Sequence, residues 1–387
     1  MREFIYADNA ATTRISDRAL EAMLPYLKEH YGNASALYAV GRDAHKAIED
    51  ARKKIASLIH AGAMDIYFTS CGTEADNWAL KGIAHRLKRE GKNHIVTSAI
   101  EHHAILHTAE SLEREGFEVT YLPVDGKGRV SVDSVKEAIR PETALVSVMY
   151  ANNEIGTIQP VAEIGAVCRE AGVLFHTDAV QAAGTLPIDV KEQNIDLLSM
   201  SAHKFHGPKG VGVLFCRRGI HPDNLLDGGA QERGHRAGTE NVAYIVGMAA
   251  ALEESCAVME EKAKRLAALR DRVQEGLLKI PGARLNGDPE NRLPGILNVS
   301  FEKTDGESLL FELDLKGIAA SSGSACASGS VDPSHVLLAV GVPYQLAHGS
   351  LRISLGRYNT EEDAERIIEA VTESVQELRA GHGGRNG

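Results

Sequence analysis

Three short stretches carry residue types that could work together on one substrate. The first is Ser199-Met200-Ser201-Ala202-His203-Lys204, which ends an apolar run and leads into the turn at Gly207-Pro208. A lysine leaving a strand beside a hydroxyl and an imidazole suits a Schiff base to an aldehyde cofactor, with Ser201 and His203 placed to bind a phosphate. The second is Val173-Leu174-Phe175-His176-Thr177-Asp178-Ala179-Val180-Gln181, an apolar strand that ends in Asp178. A carboxylate at a pyridine nitrogen keeps that nitrogen protonated, which turns the ring into an electron sink. Gln181 can then donate to a phenolic oxygen of the same ring. The third is Ser321-Ser322-Gly323-Ser324-Ala325-Cys326-Ala327-Ser328-Gly329-Ser330. A structural cysteine is expected among apolar neighbours. Cys326 has little around it to pack, which suits a nucleophile on a loop that can move. Each stretch also has a plain reading: a solvated lysine, a turn-capping aspartate and an inert thiol. An aspartate ending one strand and a lysine ending the next is more specific than either alone.

Strands alternate with helices from residue 60 to 216, which predicts an α/β fold with a largely parallel sheet covered on both faces. In such sheets ligands sit outside the carboxyl ends of the strands, where Asp178 and Lys204 fall. Ile66 to Asn77 reads as strand, turn, helix, and a helix start with Gly72 and Thr73 makes a phosphate site. Strand 94–98 precedes Glu101-His102-His103, and strand 144–150 precedes Asn152-Asn153. Taken alone, His102 reads as structural and Asn153 as the start of an Asx turn. Helices are expected over 16–29, 43–59, 74–89 and 161–171. Apolar residues from Ile245 to Leu277 recur at helical spacing, predicting one long helical region from Glu240 to Pro281-Gly282 that bridges to a smaller domain. The C-terminal part reads as strand 296–301, helix 307–315, strand 351–355 with Arg352, and a last helix opened by a Thr360/Asp363 capping box. The Gly-rich tail from Ala380 is expected to be disordered. Cys71, Cys168, Cys216 and Cys256 lie in strand or helix contexts and are expected to pack in cores.

Composition narrows the function classes. The chain has 387 residues, enough for one large core and a smaller one. Its 43% hydrophobic and 25% charged content is that of a globular protein. A net charge of −11 argues against nucleic acid or an anionic membrane as the main partner. No apolar run approaches the roughly 20 residues of a membrane span. Arg2 and Glu3 interrupt any signal-peptide pattern. Five cysteines without a CxxC spacing suit a reducing compartment, so a cytoplasmic protein without disulfides or a zinc site is expected.

From Ala7-Asp8-Asn9-Ala10-Ala11-Thr12-Thr13 to Arg352-Ile353-Ser354-Leu355-Gly356-Arg357, the motifs run in one family's order. The chain resembles the NifS/IscS-type cysteine desulfurases, pyridoxal phosphate (PLP) enzymes of the class V aminotransferase-like group. The resemblance implies the type I PLP fold, with a mostly parallel seven-stranded sheet in a large domain, residues 16–257. Residues 1–15 and 258–387 would form a small domain carrying the cysteine loop. It implies that Gly72, Thr73, Ser201 and His203 hold the cofactor phosphate, that His102 stacks on the ring, and that Asn153 and Gln181 touch its phenolic oxygen. Asp178 would pair with the ring nitrogen, Lys204 would carry the cofactor, and Arg352 would clamp the carboxylate of L-cysteine. Lys204 or His102 would take the α-proton, and Cys326 would take the sulfur as a persulfide, leaving L-alanine. Thr239 would reach the neighbouring subunit's cofactor, implying a homodimer, and the sulfur would pass to an acceptor such as an iron–sulfur scaffold or a thiolating enzyme. The loop Tyr31-Gly32-Asn33-Ala34 lacks the family's proline, and Tyr38 lies where a histidine is usual, which leaves that loop without an assigned role. The length near 387, without the aromatic-containing extension of many IscS proteins, leans toward NifS-like members. Other readings on the same scaffold are a selenocysteine lyase or an aminotransferase; a reading from another class is an inactive sulfur-scaffold interaction protein.

Overall fold

The computed structural model describes residues 4–322 and 333–383. In chain order the elements are β1 (Ile5–Tyr6), α1 (Asp17–Lys28), α2 (Ala39–Leu58), β2 (Ile66–Thr69), α3 (Gly72–Lys88), β3 (His94–Ser98), α4 (His103–Arg114) and β4 (Glu118–Leu122). There follow α5 (Val132–Ala138), β5 (Thr143–Ser147), α6 (Val161–Ala171), β6 (Leu174–Asp178), β7 (Leu197–Ser201), β8 (Gly212–Cys216), α7 (Val242–Ala257) and α8 (Met259–Leu277). The chain continues through β9 (Ala283–Asn286), β10 (Ile296–Phe301), α9 (Gly306–Leu315), β11 (Ile318–Ala319), α10 (His335–Ala339), α11 (Tyr344–Ala347), β12 (Ser350–Ser354) and α12 (Glu361–Gly383).

Seven strands form one sheet in the order β2-β8-β7-β6-β5-β3-β4. The strands from β7 to β4 are parallel to one another, and β8 is antiparallel to both β7 and β2. Every residue of β3, β5, β7 and β8 is buried, so each strand must be apolar on both faces. Alternation splits them: Val96, Val146, Leu198 and Val213 enter one core, while Ile95, Leu145, Leu197 and Leu214 enter the other. β8 turns back because the connection from β7 is too short for a parallel crossover.

A second sheet, β12-β10-β9, is antiparallel and has its own core with α8, α9 and α12. Ile5 and Ala7 join that core, and β1 pairs in parallel with β11. The single helical region expected from Glu240 to Pro281 is two helices, bent by 71° at Val258. The apolar spacing runs on unbroken because both helices bury a stripe. However, Ile245, Met248 and Leu252 pack under the seven-stranded sheet, and Leu266, Val273 and Leu277 pack on the other core. Two boundaries also move: α2 begins at Ala39, four residues early, and α12 continues to Gly383 where the tail was expected to be disordered. Among the described residues no single helix is long and apolar enough to cross a membrane.

Candidate active site

Asp178 is the last residue of β6, and Lys204 closes the short turn after β7. The two strands are parallel neighbours, with Asp178 beside Ser199, so both side chains emerge at one edge of the sheet. They line a cavity of about 310 Å³. Its walls also hold Gly72, Thr73, His102, Asn153, Gln181, Ser201, His203 and Arg352. Ten of the twelve residues singled out from sequence line this cavity; Thr239, expected to reach a neighbouring subunit, is exposed and does not line it. Cys326 lies outside the described residues.

Each wall has a local cause. The Lys204 ammonium donates to the carbonyl oxygens of Ala10 (2.5 Å) and Ala11 (2.8 Å), so the N-terminal segment holds its reach. Gln181 Nε2 donates to Ala10 O at 2.9 Å, which leaves one of its two N–H groups for a ligand. His102 caps α4: its Nδ1 accepts the Ala104 N–H at 3.1 Å. The ring proton of neutral His102 therefore sits on Nε2. Burial, then the Lys204 charge, pushes this imidazole down to about 4, so it is neutral at neutral pH. His203 is also held down at about 4 by burial, and its Nδ1 meets Thr12 Oγ1 at 3.1 Å.

Asp178 is pushed up to about 6 by burial, while the Val180 N–H (2.8 Å) and Lys204 oppose that rise. Arg352 stands in the middle of β12 and is 3% exposed. Its Nη2 pairs with Asp8 at 2.8 Å and its Nη1 donates to Asn153 O at 3.1 Å. Its Nε is buried without a hydrogen-bond partner among the described residues, a donor available to a carboxylate.

These residues fit pyridoxal phosphate. Ser201 Oγ lies buried without a partner among the described residues, on the wall where a phosphate would sit. A Cβ at Gly72 would stand 2.7 Å from Val180 Cγ2, so only glycine leaves the start of α3 this open. The amine, the carboxylate and the free hydroxyl are the donor set the cofactor requires.

Two residues of this cavity were missed from sequence. Cys71, expected in a core, lines it instead; Cys168 and Cys216 are buried as expected, and Cys256 is partly buried against the core of α7. Asp76 lies one helical turn beyond Gly72 on the face of α3 that meets the sheet, and it is 1% exposed. Among the described residues its Oδ1 has no hydrogen-bond partner, and it lies 3.7 Å from His176 Nε2. Burial first, then Asp178, raises its carboxyl well above the usual range. A spacing of four from Gly72 at a helix start was the signal that could have found it. Among the described residues, no group of three His, Cys, Asp or Glu side chains is arranged to hold a metal ion.

Comparison with known proteins agrees with this geometry. The aminotransferase class-V family model matches residues 5–367. Cysteine desulfurase IscS of Methanosarcina thermophila is 58% identical over 375 residues, covering 97% of this chain and 93% of that protein. Cysteine desulfurase IscS of Clostridium botulinum (strain Hall) is 54% identical over 382 residues, covering 98% and 96%. Among solved structures, a NifS-like protein superposes with a TM-score of 0.91 at 40% identity, over 97% of this chain and 100% of that one. SspA, solved in complex with cysteine, gives 0.82 at 37% identity, over 92% and 100%. The chain belongs to the aminotransferase class-V family and, within it, to the cysteine desulfurases.

Proposed function

We propose that this protein binds pyridoxal phosphate in the 310 Å³ cavity and converts L-cysteine to L-alanine, passing the sulfur to Cys326. The observation that carries the reading is the meeting of Lys204, Asp178 and Arg352 on one cavity. When bound, the cofactor supplies an electron sink for the negative charge left when the substrate's α-proton departs. Lys204 would hold the cofactor and Asp178 would serve its ring nitrogen. Ser201, His203, Gly72 and Thr73 would hold the phosphate. Asn153 and Gln181 would serve the phenolic oxygen.

Arg352 receives the substrate carboxylate through its free Nε, while Asp8 and the Asn153 carbonyl fix the guanidinium. Once its amine is free and neutral, Lys204 is the better acceptor for the α-proton, because His102 has Nδ1 engaged and a proton on Nε2. His102 would lie against the cofactor ring with its Nε2–H free to donate. The Cys326 thiolate attacks the substrate sulfur; the carbon–sulfur bond breaks, the electron pair stays with carbon, and a proton returns to carbon to give alanine. The balance is L-cysteine plus a thiol to L-alanine plus a persulfide.

The same reading divides the chain into residues 16–257 and the pair 1–15 with 258–387, supported by the packing of Ile5 and Ala7 beside β10 and β12. It makes the protein a homodimer in which exposed Thr239 reaches the partner's cofactor. An iron–sulfur scaffold is the acceptor this reading favours, and the relatives include both proteins named IscS and a NifS-like structure. Four free cysteines among the described residues suit a reducing, cytoplasmic setting.

The test is to incubate the PLP-loaded protein with L-cysteine and a thiol reductant, measuring alanine and sulfide, with Cys326→Ala alongside. Equimolar products that the variant loses are expected. Products unaffected by the variant would remove the persulfide step and favour a lyase.

A further inference from the structure

Glu154 is a buried carboxyl that the proposed reaction does not use, and it is 6% exposed. The peptide joining it to Asn153 is held by the second sheet. Arg352 Nη1 donates to Asn153 O at 3.1 Å, and Asn298 Nδ2 donates to Glu154 O at 3.3 Å. Asn298 and Arg352 are direct partners across β10 and β12, so both donors come from one rung of that sheet. The Glu154 N–H closes the turn on Asn152 Oδ1 at 2.8 Å.

The side chain is fixed from the start of α10. Ser334 Oγ donates to Glu154 Oε2, and the same hydroxyl oxygen accepts the N–H groups of Val336 (3.1 Å) and Leu337 (3.3 Å). A hydroxyl has a single proton, so with its oxygen engaged by the cap that proton belongs to the contact with Glu154. His335, next to Ser334, is bound to Glu101 O at 3.0 Å instead.

Among the described residues Arg352 is the one charged group that acts on Glu154. Arg352 already pairs with Asp8 at 2.8 Å. Ionised Glu154 therefore makes a second negative charge around one guanidinium, whereas neutral Glu154 leaves Asp8 alone there. A substrate carboxylate arriving at Arg352 Nε adds a further anion to the same group. Burial raises Glu154 to about 7, with the Ser334 hydrogen bond and then Arg352 opposing, so both of its forms are populated near neutral pH.

We propose, resting on Arg352 as the carboxylate clamp, that Glu154 is a positioning residue for that clamp: held by Ser334 and by the rung that carries Arg352, its carboxyl sets the charge around the guanidinium and hence the grip on the substrate carboxylate. L-Alanine, the amino-acid product, is the probe. Its binding to the PLP-loaded protein is followed by the visible absorbance of the cofactor in wild type, Glu154→Gln, Ser334→Ala and Arg352→Gln. Glutamine presents an NH₂ where the protonated acid presents its O–H, and it does not ionise. Glu154→Gln should match wild type at about pH 6 and bind about fivefold more tightly at about pH 8.5, where wild-type Glu154 is ionised. The ratio of the two affinities removes the titrations they share. Ser334→Ala withdraws a hydrogen bond from the carboxylate, so its loss of affinity should begin at higher pH than in wild type. A ratio that stays flat with pH, with binding lost in Arg352→Gln, would overturn the role of Glu154 and leave the clamp standing. An onset unmoved in Ser334→Ala would also overturn it. Equal binding by wild type and Arg352→Gln would remove the clamp, and the role of Glu154 with it.

Discussion

The Asp76 carboxyl is the residue whose environment departs furthest from what its place in the sequence suggests. Its surroundings offer a neutral imidazole in His176, held down at about 3 by burial, a hydrogen bond from Ser199, and the charges of Asp178 and Glu101. Among the described residues no cation faces it, whereas Asp178 has the Val180 N–H and Lys204. Two carboxylates in one buried site cannot both ionise cheaply, so Asp76 holds a proton and Asp178 carries the charge. Because its folded pKa is raised, Asp76 stabilises the fold fully below the unfolded value, about 3.9, and that stability is lost as pH rises toward the folded value. Asp76→Asn keeps a neutral hydrogen-bonding group of the same shape. The cofactor-free variant should match wild type in melting temperature near about pH 4 and exceed it increasingly toward about pH 8, each unit of pKa shift counting about 1.4 kcal/mol. A constant difference across that range would show that Asp76 is ionised in the folded protein. Sequence reasoning found Lys204 and Asp178 because their residue types announce charge chemistry, and Arg352 through the family resemblance. It missed Asp76 and Cys71 because an aspartate and a cysteine at a helix start have ordinary capping and packing uses.

Among the elements, the start of α3 does the most with the fewest atoms. β2 delivers the chain to Cys71, and Gly72 opens the helix with Val180 pressed against the position its Cβ would take. A methyl there, 2.7 Å from Val180 Cγ2, must push the 178–181 turn or tilt the helix. Either movement displaces the phosphate cradle. Gly72→Ala is expected to weaken PLP binding, with overpacking costing about 1–3 kcal/mol. Adding Val180→Ala should recover most of that loss. Equilibrium dialysis of the cofactor measures both, and a double variant no better than the single one would move the cause elsewhere. Strand and helix types were legible at this scale because period-2 and period-3.6 patterns report burial. Helix α6 spans Val161–Ala171 as read, and β3 matches to the residue. The bend at Val258 was not legible, since periodicity records that a face is buried and not which core buries it. The direction of β8 is a matter of connection length, which apolar content does not express.

At the scale of the whole molecule, the N-terminal segment is the tie between the two sheets. Its first residues pair with β11, and Asp8 bridges to Ser354 on β12. Its next residues meet the lysine turn: Ala10 and Ala11 accept from Lys204, and Thr13 N–H donates to His203 O at 2.9 Å. Thr13 Oγ1 donates to His203 O at 2.8 Å and accepts the His206 N–H at 2.9 Å. Thr13 is 5% exposed, and its hydroxyl pins His206, whose φ of 68° is a left-handed conformation unfavourable for a side chain of this kind. The reactive lysine is therefore placed by its own strand and also by a segment some 190 residues distant in sequence. Thr13→Val keeps the volume and removes both hydroxyl bonds, leaving the His206 N–H buried without a partner. A loss of about 1–3 kcal/mol in stability is expected. Amide exchange should quicken in the turn 202–207 while the core of α12 stays protected. Uniform loss of protection across both sheets would mean that Thr13 supports the fold generally. Protection unchanged at the turn would mean that β7 alone places Lys204.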